Sequence, residues 1–551
     1  MLQCITIGTA AIEGADQEEF EDGINLNISA RELGTSSSLY LMAKSYFDLR
    51  EYTRCAHHLR NCNSGYGFFL RLYALYLDGL KHRCDDFVDI FPKASMDNAW
   101  LIRLRTELTT SEKSQPLNGY CCYVYALVLK RLGLLNEALP YFVRTVRAVP
   151  HLWSAWEDLV GLVDSEQKLH NLDLPKHWIR NVFYARCYVE LHKPELCVYI
   201  CKELTQIGFQ NSSYILLLQA KAYETGAELQ LARTCCEEAR TIDPYNLDSM
   251  DIFSNILFVL VNYHALASLA QKSIEIEKYR FETCIVVGNF YSIRNDHARA
   301  IQYFTRALRM NPDYPAAWIL LGHEFVEGKN HAAAINAYRE ALDLNRRDHR
   351  AWYGLGETYE IIKMYNYALY YFKEAFALKP NDSRYSNALG AVYERTQKLH
   401  EAKKCYWRSY CVGDIEGNAL AKYAHVCDHL KDEETAARAY MEFIRTQEQR
   451  QVKNFTEFSH AAEFLANYHM KKRQYDQACS YARKCLEFPE VKNAAKDILN
   501  KIAGLREGQQ PQPQPQVKEK ESIQQQNEQQ TLPTAAQSTI HEFDSSSTTI
   551  D

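Results

Sequence analysis

The 551-residue sequence contains no run of about 18 apolar residues, the length that a membrane-spanning helix needs. It has no basic excess either: 63 Lys and Arg stand against 69 Asp and Glu, a net charge of −6. A nucleic-acid surface would need a basic stripe. The first residues, Met1 to Ile5, lack the basic segment of a signal peptide. We therefore expect neither a membrane nor a nucleic acid as a partner.

Motifs for catalysis and metal binding are missing as well. The segment His323–Glu327 resembles HExxH but lacks the second histidine, and Gly354–Gly356 lacks the third glycine of a dinucleotide-binding loop. Cys197 and Cys201 lie one helical turn apart, with no second pair nearby. The 17 cysteines, an odd number, are expected to be thiols in a reducing compartment. The sequence thus predicts no catalytic residue, no metal ligand and no cofactor.

What the sequence does contain is a period of 34 residues. Four positions keep this step over four units: a glycine (Gly288, Gly322, Gly356, Gly390), an aromatic (Tyr291, Phe325, Tyr359, Tyr393), an alanine (Ala300, Ala334, Ala368, Ala402) and a second aromatic (Phe304, Tyr338, Phe372, Tyr406). This order and spacing are typical of the tetratricopeptide (TPR) repeat, a pair of antiparallel helices. The pattern predicts an all-α fold, a TPR superhelical solenoid.

Each recurring position has an expected place in the repeat. The glycine is predicted to lie where the two helices of a unit meet, opposite the alanine, with the aromatics filling the space to the next unit. On this interpretation Gly322 and Gly356 tolerate alanine but not leucine. Pro312 and Pro380 are expected to end second helices, because proline cannot continue a helix.

The remaining sequence divides into four segments. Residues 1–36 are irregular and acidic, 37–210 form an N-terminal TPR region, 211–503 form a C-terminal TPR superhelix, and 504–551 are rich in Gln, Ser and Thr. The last segment is expected to be a disordered tail, because it has too few apolar residues to bury. We expect about twelve to fourteen repeats. Residues 81–118 are expected to hold a loop, and the register slips between 150 and 213.

The concave face of a TPR superhelix is lined by the first helix of each unit, and here that face is acidic. The inward positions include Asn289, Tyr353 and Glu357, and Glu324 flanks them. A carboxylate can hold a guanidinium group through two hydrogen bonds while an aromatic ring stacks on it. These residues therefore predict a groove for an arginine-bearing extended peptide. The same charges are equally consistent with a solvated acidic face.

Several longer segments carry a closer likeness. They are Glu277–Cys284, Gly288–Ser292, Gly322–Phe325, Arg350–Glu360 and Lys379–Arg384. These segments resemble the Cdc23 family, the eighth subunit of the anaphase-promoting complex, and the likeness extends over about 37–503.

The resemblance implies a non-catalytic subunit of a ubiquitin ligase found in the nucleus and the cytoplasm. It implies a homodimer formed through the N-terminal repeats, and other subunits of the complex as partners. It also implies that the C-terminal superhelix binds the C-box of a coactivator, a short Asp-Arg-aromatic-Ile-Pro type of peptide. The arginine pocket of the family falls on Asn289 and Glu324, and Tyr353 and Glu357 are expected beside it.

Two other functions compete with this one. A TPR co-chaperone grips an acidic C-terminal peptide and needs Lys and Arg on its inward face, whereas the inward positions here are acidic or neutral. A TPR protein fused to a glycosyltransferase needs an α/β catalytic domain, for which the residues after 504 are unsuited.

Overall fold

The computed structural model describes residues 35–85, 98–414, 417–449, 455–489 and 491–507. These residues form 27 α-helices, and no strand occurs among them. The all-α TPR prediction is confirmed, and thirteen helix pairs with one further helix agree with the expected number of repeats. Nearly all of the segment 1–36, and the tail beyond 507, lie outside the described residues.

The chain splits into two compact units, Met1–Glu457 and Phe458–Asp551. The first unit begins with ten helices: α1 Ser37–Asp48, α2 Tyr52–His58, α3 Gly65–Asp85, α4 Ala99–Ser114, α5 Gly119–Arg131, α6 Leu135–Ala148, α7 Trp153–Val160, α8 Glu166–Asn171, α9 Ile179–Glu190 and α10 Pro194–Ile207. The short α7 and α8 account for the slip of register after residue 150. Whether a boundary at 210/211 separates two roles stays a prediction.

The expected loop at 81–118 is wrong for most of its length. Helix α3 continues to Asp85, and α4 occupies Ala99–Ser114, while 86–97 lie outside the described residues. Leu101, Leu104 and Leu108 are buried at helical spacing on α4. This apolar face stabilises the helix although the TPR consensus is absent there.

The regular repeats follow as α11 Ser213–Thr225, α12 Leu229–Ile242, α13 Met250–Val259, α14 Tyr263–Ile276, α15 Phe281–Ile293, α16 His297–Met310, α17 Pro315–Glu327, α18 His331–Leu344, α19 His349–Ile361, α20 Tyr365–Leu378, α21 Ser383–Arg395, α22 Leu399–Gly413, α23 Ala419–His429 and α24 Glu433–Gln449. Pro312 and Pro380 each follow the last residue of a second helix by two positions, as predicted. Asn262, Asp296 and Asn330 cap the N-termini of α14, α16 and α18 with their side chains.

The glycine contact differs from the one expected. A Cβ atom on Gly322 would lie 2.6 Å from Cε1 of Tyr338, and one on Gly356 would lie 2.5 Å from Cδ1 of Phe372. The flanking units repeat this contact, in the pairs Gly288–Phe304 and Gly390–Tyr406. The second aromatic of the same unit, and not the alanine, therefore covers the glycine. Because these rings are fully buried, the expected tolerance of alanine at Gly322 and Gly356 is wrong.

The turn between the two helices of a unit has a feature that the sequence pattern did not reveal. Its last residue adopts a left-handed conformation at the same step of 34 residues, at Ala227, Val261, Asn295, Lys329, Lys363, Gln397 and Lys431. Left-handed backbone is strained for residues with a Cβ atom, most of all for a β-branched one. Val261, at φ 53° and 75% exposed, combines this strain with little burial to offset it.

We expect Val261→Gly to raise the free energy of unfolding by about 0.5–1 kcal/mol, because relief of the left-handed strain exceeds the entropy cost of glycine. Val259→Gly is the matched control: Val259 is also exposed but ends α13, so its replacement is expected to be destabilising. Thermal unfolding of the two variants measures the difference. Equal losses of stability would contradict the strain at Val261.

Distant parts of the first unit touch one another. Arg131 Nη2 lies 2.6 Å from Asp313 Oδ2, across 182 residues of sequence. Arg347 Nη1 donates to the carbonyl oxygen of Val163 at 2.7 Å, and Lys379 Nζ donates to that of Thr225 at 3.1 Å. The segments that precede α17, α19 and α21 are thus held against the N-terminal repeats.

The second unit contains most of α25 Phe455–Lys471, followed by α26 Tyr475–Cys485 and α27 Lys492–Glu507. Its core consists of Ala466, Ala478, Ala482, Ile498 and Ile502. The predicted boundary of the tail at 504 falls inside α27. The helical part of the chain therefore continues at least three residues further than expected.

Candidate functional site: an acidic pocket on the first helices

The four predicted site residues lie on first helices of consecutive repeats. Asn289 is on α15, Glu324 is on α17, and Tyr353 and Glu357 are on α19. The 34-residue step explains this placement, because equivalent positions of stacked repeats line the same face of the solenoid.

Asn289 is a buried amide, 2% exposed, with one atom left to bind a ligand. Its Nδ2 donates to Ser254 Oγ at 2.8 Å and to Asn255 Oδ1 at 2.7 Å, both on the preceding first helix α13. These bonds fix the orientation of the amide, and no described residue donates to Oδ1. The amide oxygen is therefore a neutral acceptor held in place.

Glu324 carries the buried charge of the site. Its side chain belongs to a residue only 5% exposed. Ser292 Oγ donates to Oε1 at 2.5 Å, and His297 Nδ1 lies 2.9 Å from Oε2. A carboxylate only accepts hydrogen bonds, so His297 Nδ1 carries the hydrogen. No lysine or arginine among the described residues lies within 4.0 Å of this carboxylate.

Ser292 connects the two predicted pocket residues. It follows Asn289 by three positions on α15, so the two side chains share a helix face. Through its bond to Glu324, Ser292 brings that carboxylate next to the face that carries Asn289. The structure thus assembles Asn289, Ser292, His297 and Glu324 into one cluster, which we call the arginine-pocket cluster. Sequence reasoning missed the roles of Ser292 and His297.

Tyr338 of α18 forms the floor between α17 and α19. Its fully buried ring packs on Gly322 and Gly354, and its hydroxyl is hydrogen-bonded to His323 Nδ1 at 2.9 Å. Burial raises the pKa of Tyr338, and the nearby carboxylates of Glu357, Glu324 and Glu327 raise it further, in that order. These three acidic side chains therefore surround one hydroxyl. The repeated aromatic was visible in the sequence, but its polar end was not recognised as part of the site.

His323, an inward position by sequence, is bonded to this floor and is not offered to a ligand. Burial, and then the charge of Arg350, lower the pKa of His323 to about 4. The imidazole is therefore neutral near pH 7. Arg350 itself is paired with Asp348 through two hydrogen bonds of 3.0 and 2.9 Å.

Tyr353 and Glu357 lie one helical turn apart on α19 and share a face. The half-buried ring of Tyr353 contacts those of Phe372 and Tyr385, each with its centroid 5.3 Å away. The Glu357 side chain is exposed, yet its pKa is raised, first by desolvation and then by Glu360 and Glu327. An accessible carboxylate with so much protein around it is typical of a concave surface.

The groove beyond the cluster keeps its negative charge. Within the part of the chain that the structure describes, Glu327, Glu357 and Glu360 have no cationic partner within 4.0 Å. In the same residues, no three His, Cys, Asp or Glu side chains are arranged to hold a metal ion, and the cysteines are thiols. No helix in these ranges is both long and apolar enough to cross a bilayer.

Comparison with known proteins bears on this arrangement. A family model described as "Anaphase promoting complex subunit 8 / Cdc23" matches residues 17–220, and TPR-repeat models match 294–335 and 322–360. The "Anaphase-promoting complex subunit 8" of Arabidopsis thaliana is 43% identical over 479 residues, covering 85% of this chain and 82% of the relative. The chain belongs to the anaphase-promoting complex subunit 8 / Cdc23 family.

Other members of the family agree. The subunit 8 of Dictyostelium discoideum is 38% identical over 534 residues, covering 86% of this chain and 88% of the relative. The human "Cell division cycle protein 23 homolog" is 43% identical over 240 residues, covering 43% of this chain and 40% of that one. Among solved structures, the Cut9–Hcn1 hetero-tetramer of the complex matches with a TM-score of 0.53 at 17% identity, covering 87% of this chain and 100% of Cut9–Hcn1's matched chain. That likeness supports the TPR fold of this Cdc23-family chain.

Proposed function

We propose that this Cdc23-family chain is a non-catalytic TPR subunit of the anaphase-promoting complex, a ubiquitin ligase of the cell cycle. It acts as a scaffold in the nucleus and the cytoplasm, forms a homodimer, and binds other subunits together with the C-box of a coactivator. The relatives named as subunit 8 of this complex support the assignment, because their likeness extends over more than four fifths of both chains.

The observation that carries the binding proposal is the buried carboxylate of Glu324. Burying a charge without a partner is costly, and here the partners are a hydroxyl and an imidazole. A guanidinium group supplies the missing cation, with Asn289 Oδ1 as a second acceptor. Glu357 and the ring of Tyr353 extend this surface along α19. An arginine in an extended peptide fits these groups better than a lysine, because its planar donors match a carboxylate and an amide oxygen together.

A fluorescence-anisotropy titration with the peptide Asp-Arg-Phe-Ile-Pro tests the binding proposal. We expect the full chain to bind this peptide, to bind the arginine-to-lysine peptide more weakly, and to show no saturable binding of the arginine-to-alanine peptide. Equal affinities for the three peptides would reject the arginine pocket. Affinity purification of the chain followed by mass spectrometry tests membership of the ligase separately.

A clamp for acidic peptides is not favoured. The arginines at the starts of α15, α19 and α21 are each paired with a nearby carboxylate, as Arg280–Glu282, Arg350–Asp348 and Arg384–Asp382. They are therefore already neutralised, whereas a co-chaperone needs free cations on this face.

Homodimer formation through 37–210 is supported by exposed apolar side chains on and just after the first helix: Leu41, Met42 and Leu49 are 51%, 39% and 69% exposed. We expect light scattering at micromolar concentration to give twice the chain mass of 63.8 kDa. The double variant Leu41→Asp, Leu49→Asp is expected to shift the chain to monomer. Leu344→Asp, a similarly exposed leucine on α18, is the control and is expected to stay dimeric. A monomeric wild type would reject this part of the proposal.

A further inference from the structure

His297 is the one member of the arginine-pocket cluster that exchanges a proton near neutral pH. It is the first residue of α16, and its contact with Glu324 Oε2 at 2.9 Å is the hydrogen bond that the structure records for its side chain. Ser292 holds the other carboxylate oxygen at 2.5 Å but is always neutral. The charge beside Glu324 therefore depends on the protonation of a single imidazole.

This arrangement occurs in one repeat only among its neighbours. The position of His297 is occupied by Tyr263 in the unit before and by His331 in the unit after. The position of Glu324 is occupied there by Phe290 and Thr358. Thr358 donates to the carbonyl oxygen of Gly354, and His331 Nδ1 has no hydrogen-bond partner among the described residues. The imidazole–carboxylate pair is thus a specific feature of this site and not a property of the TPR scaffold.

The other charged groups around α16 are engaged elsewhere. On α16 and its cap, Asp296 is paired with Arg299 at 3.3 Å. From α15, Arg294 stacks over the ring of Phe290. From α17, besides Glu324, the ionisable groups are His323, which is bonded to the floor tyrosine, and the exposed Glu327. None of them replaces Glu324 as the partner of His297.

We propose that His297 is a proton-linked positioning residue of the arginine pocket, an inference that rests on the proposed function. With a neutral imidazole, Nδ1–H orients the carboxylate and leaves its negative charge to the ligand. With a protonated imidazole, that charge is already neutralised, and a second cation beside it is repelled. Binding of the peptide guanidinium to the protonated form releases the imidazole proton to solvent, so proton and peptide compete for one carboxylate.

Affinity measured as a function of pH tests this competition. The probe is the peptide Asp-Arg-Phe-Ile-Pro with an acetylated N-terminus and an amidated C-terminus, so that its only titrating group is a carboxyl with an ordinary pKa near 4. Between about pH 8 and about pH 6, where imidazoles take up a proton, we expect wild-type affinity to fall by up to about tenfold per unit, the limit for one released proton. Calorimetry in two buffers of different ionisation enthalpy counts that proton.

Two variants decide the outcome. His297→Gln is uncharged and can still donate to Glu324, so it is expected to bind at pH 6 as tightly as at pH 8 and to release no proton. His331→Gln, at the equivalent position of the next unit, is expected to keep the wild-type pH profile. Parallel profiles for wild type and His297→Gln would overturn the proposal.

A third variant separates this inference from the function on which it rests. If Glu324→Gln binds the peptide as wild type does, the arginine pocket itself fails, and the proton linkage fails with it. If Glu324→Gln loses affinity while His297→Gln keeps both the wild-type affinity and its pH dependence, the pocket stands and only the role of His297 is rejected.

Discussion

Glu324→Gln is expected to weaken binding of the Asp-Arg-Phe-Ile-Pro peptide by about 2–5 kcal/mol, well over tenfold, with Glu324→Ala at least as severe. Glutamine keeps the shape of the side chain and can still accept the hydrogen bond from Ser292. It removes the negative charge, and in a residue only 5% exposed that charge is screened little by solvent. Helicity and melting temperature are expected to stay unchanged in Glu324→Gln, so that lost binding does not reflect unfolding.

Glu327→Gln is the matched control for this prediction. Glu327 is on the same helix, three positions further on, and is exposed. An exposed carboxylate contributes less than about 1 kcal/mol to such a contact, so this variant should bind nearly as wild type does. Equal affinities of wild type and Glu324→Gln would show that Glu324 is one more carboxylate of an acidic face, and would leave the fold untouched.

Gly356→Leu is expected to destabilise the repeats around α19 and α20 by about 3 kcal/mol or more, and Gly356→Ala by about 1–2 kcal/mol. Alanine favours a helix over glycine by about 1 kcal/mol, but its Cβ atom would lie 2.5 Å from the ring of Phe372. That ring is 1% exposed and has no free space into which to turn. Thermal unfolding and amide hydrogen exchange of α19 and α20 measure the two losses.

Two further variants show whether the ring is the cause. Phe372→Leu removes ring atoms, so the double variant Gly356→Ala, Phe372→Leu should lose less stability than the sum of its parts. Gly504→Ala, on a helix where nothing lies within 4 Å of the new methyl group, should be neutral or stabilising. An unchanged stability of Gly356→Ala would contradict the close contact between α19 and α20.

Much of the fold was predictable because each repeat solves the same packing problem. The step of 34 residues placed Gly322 and Gly356 between paired helices and the prolines after them, and the structure agrees. It failed where the consensus is absent, as on α4, since an apolar face suffices to stabilise a helix there. It also assigned the wrong neighbour to the glycines. Periodicity records that a small residue is needed but not which side chain of the partner helix covers it.

The sequence by itself determined the all-α repeat architecture, the family, and the face on which Asn289 and Glu324 lie. These depend on local spacing, which every unit repeats. Only the tertiary structure decided that Ser292 and His297, 32 and 27 residues away from Glu324, hold its carboxylate. It alone brought Arg131 to Asp313 across 182 residues. Such contacts depend on how far each helix pair rotates from the last and on single side-chain rotamers, and neither quantity is written in a repeat period.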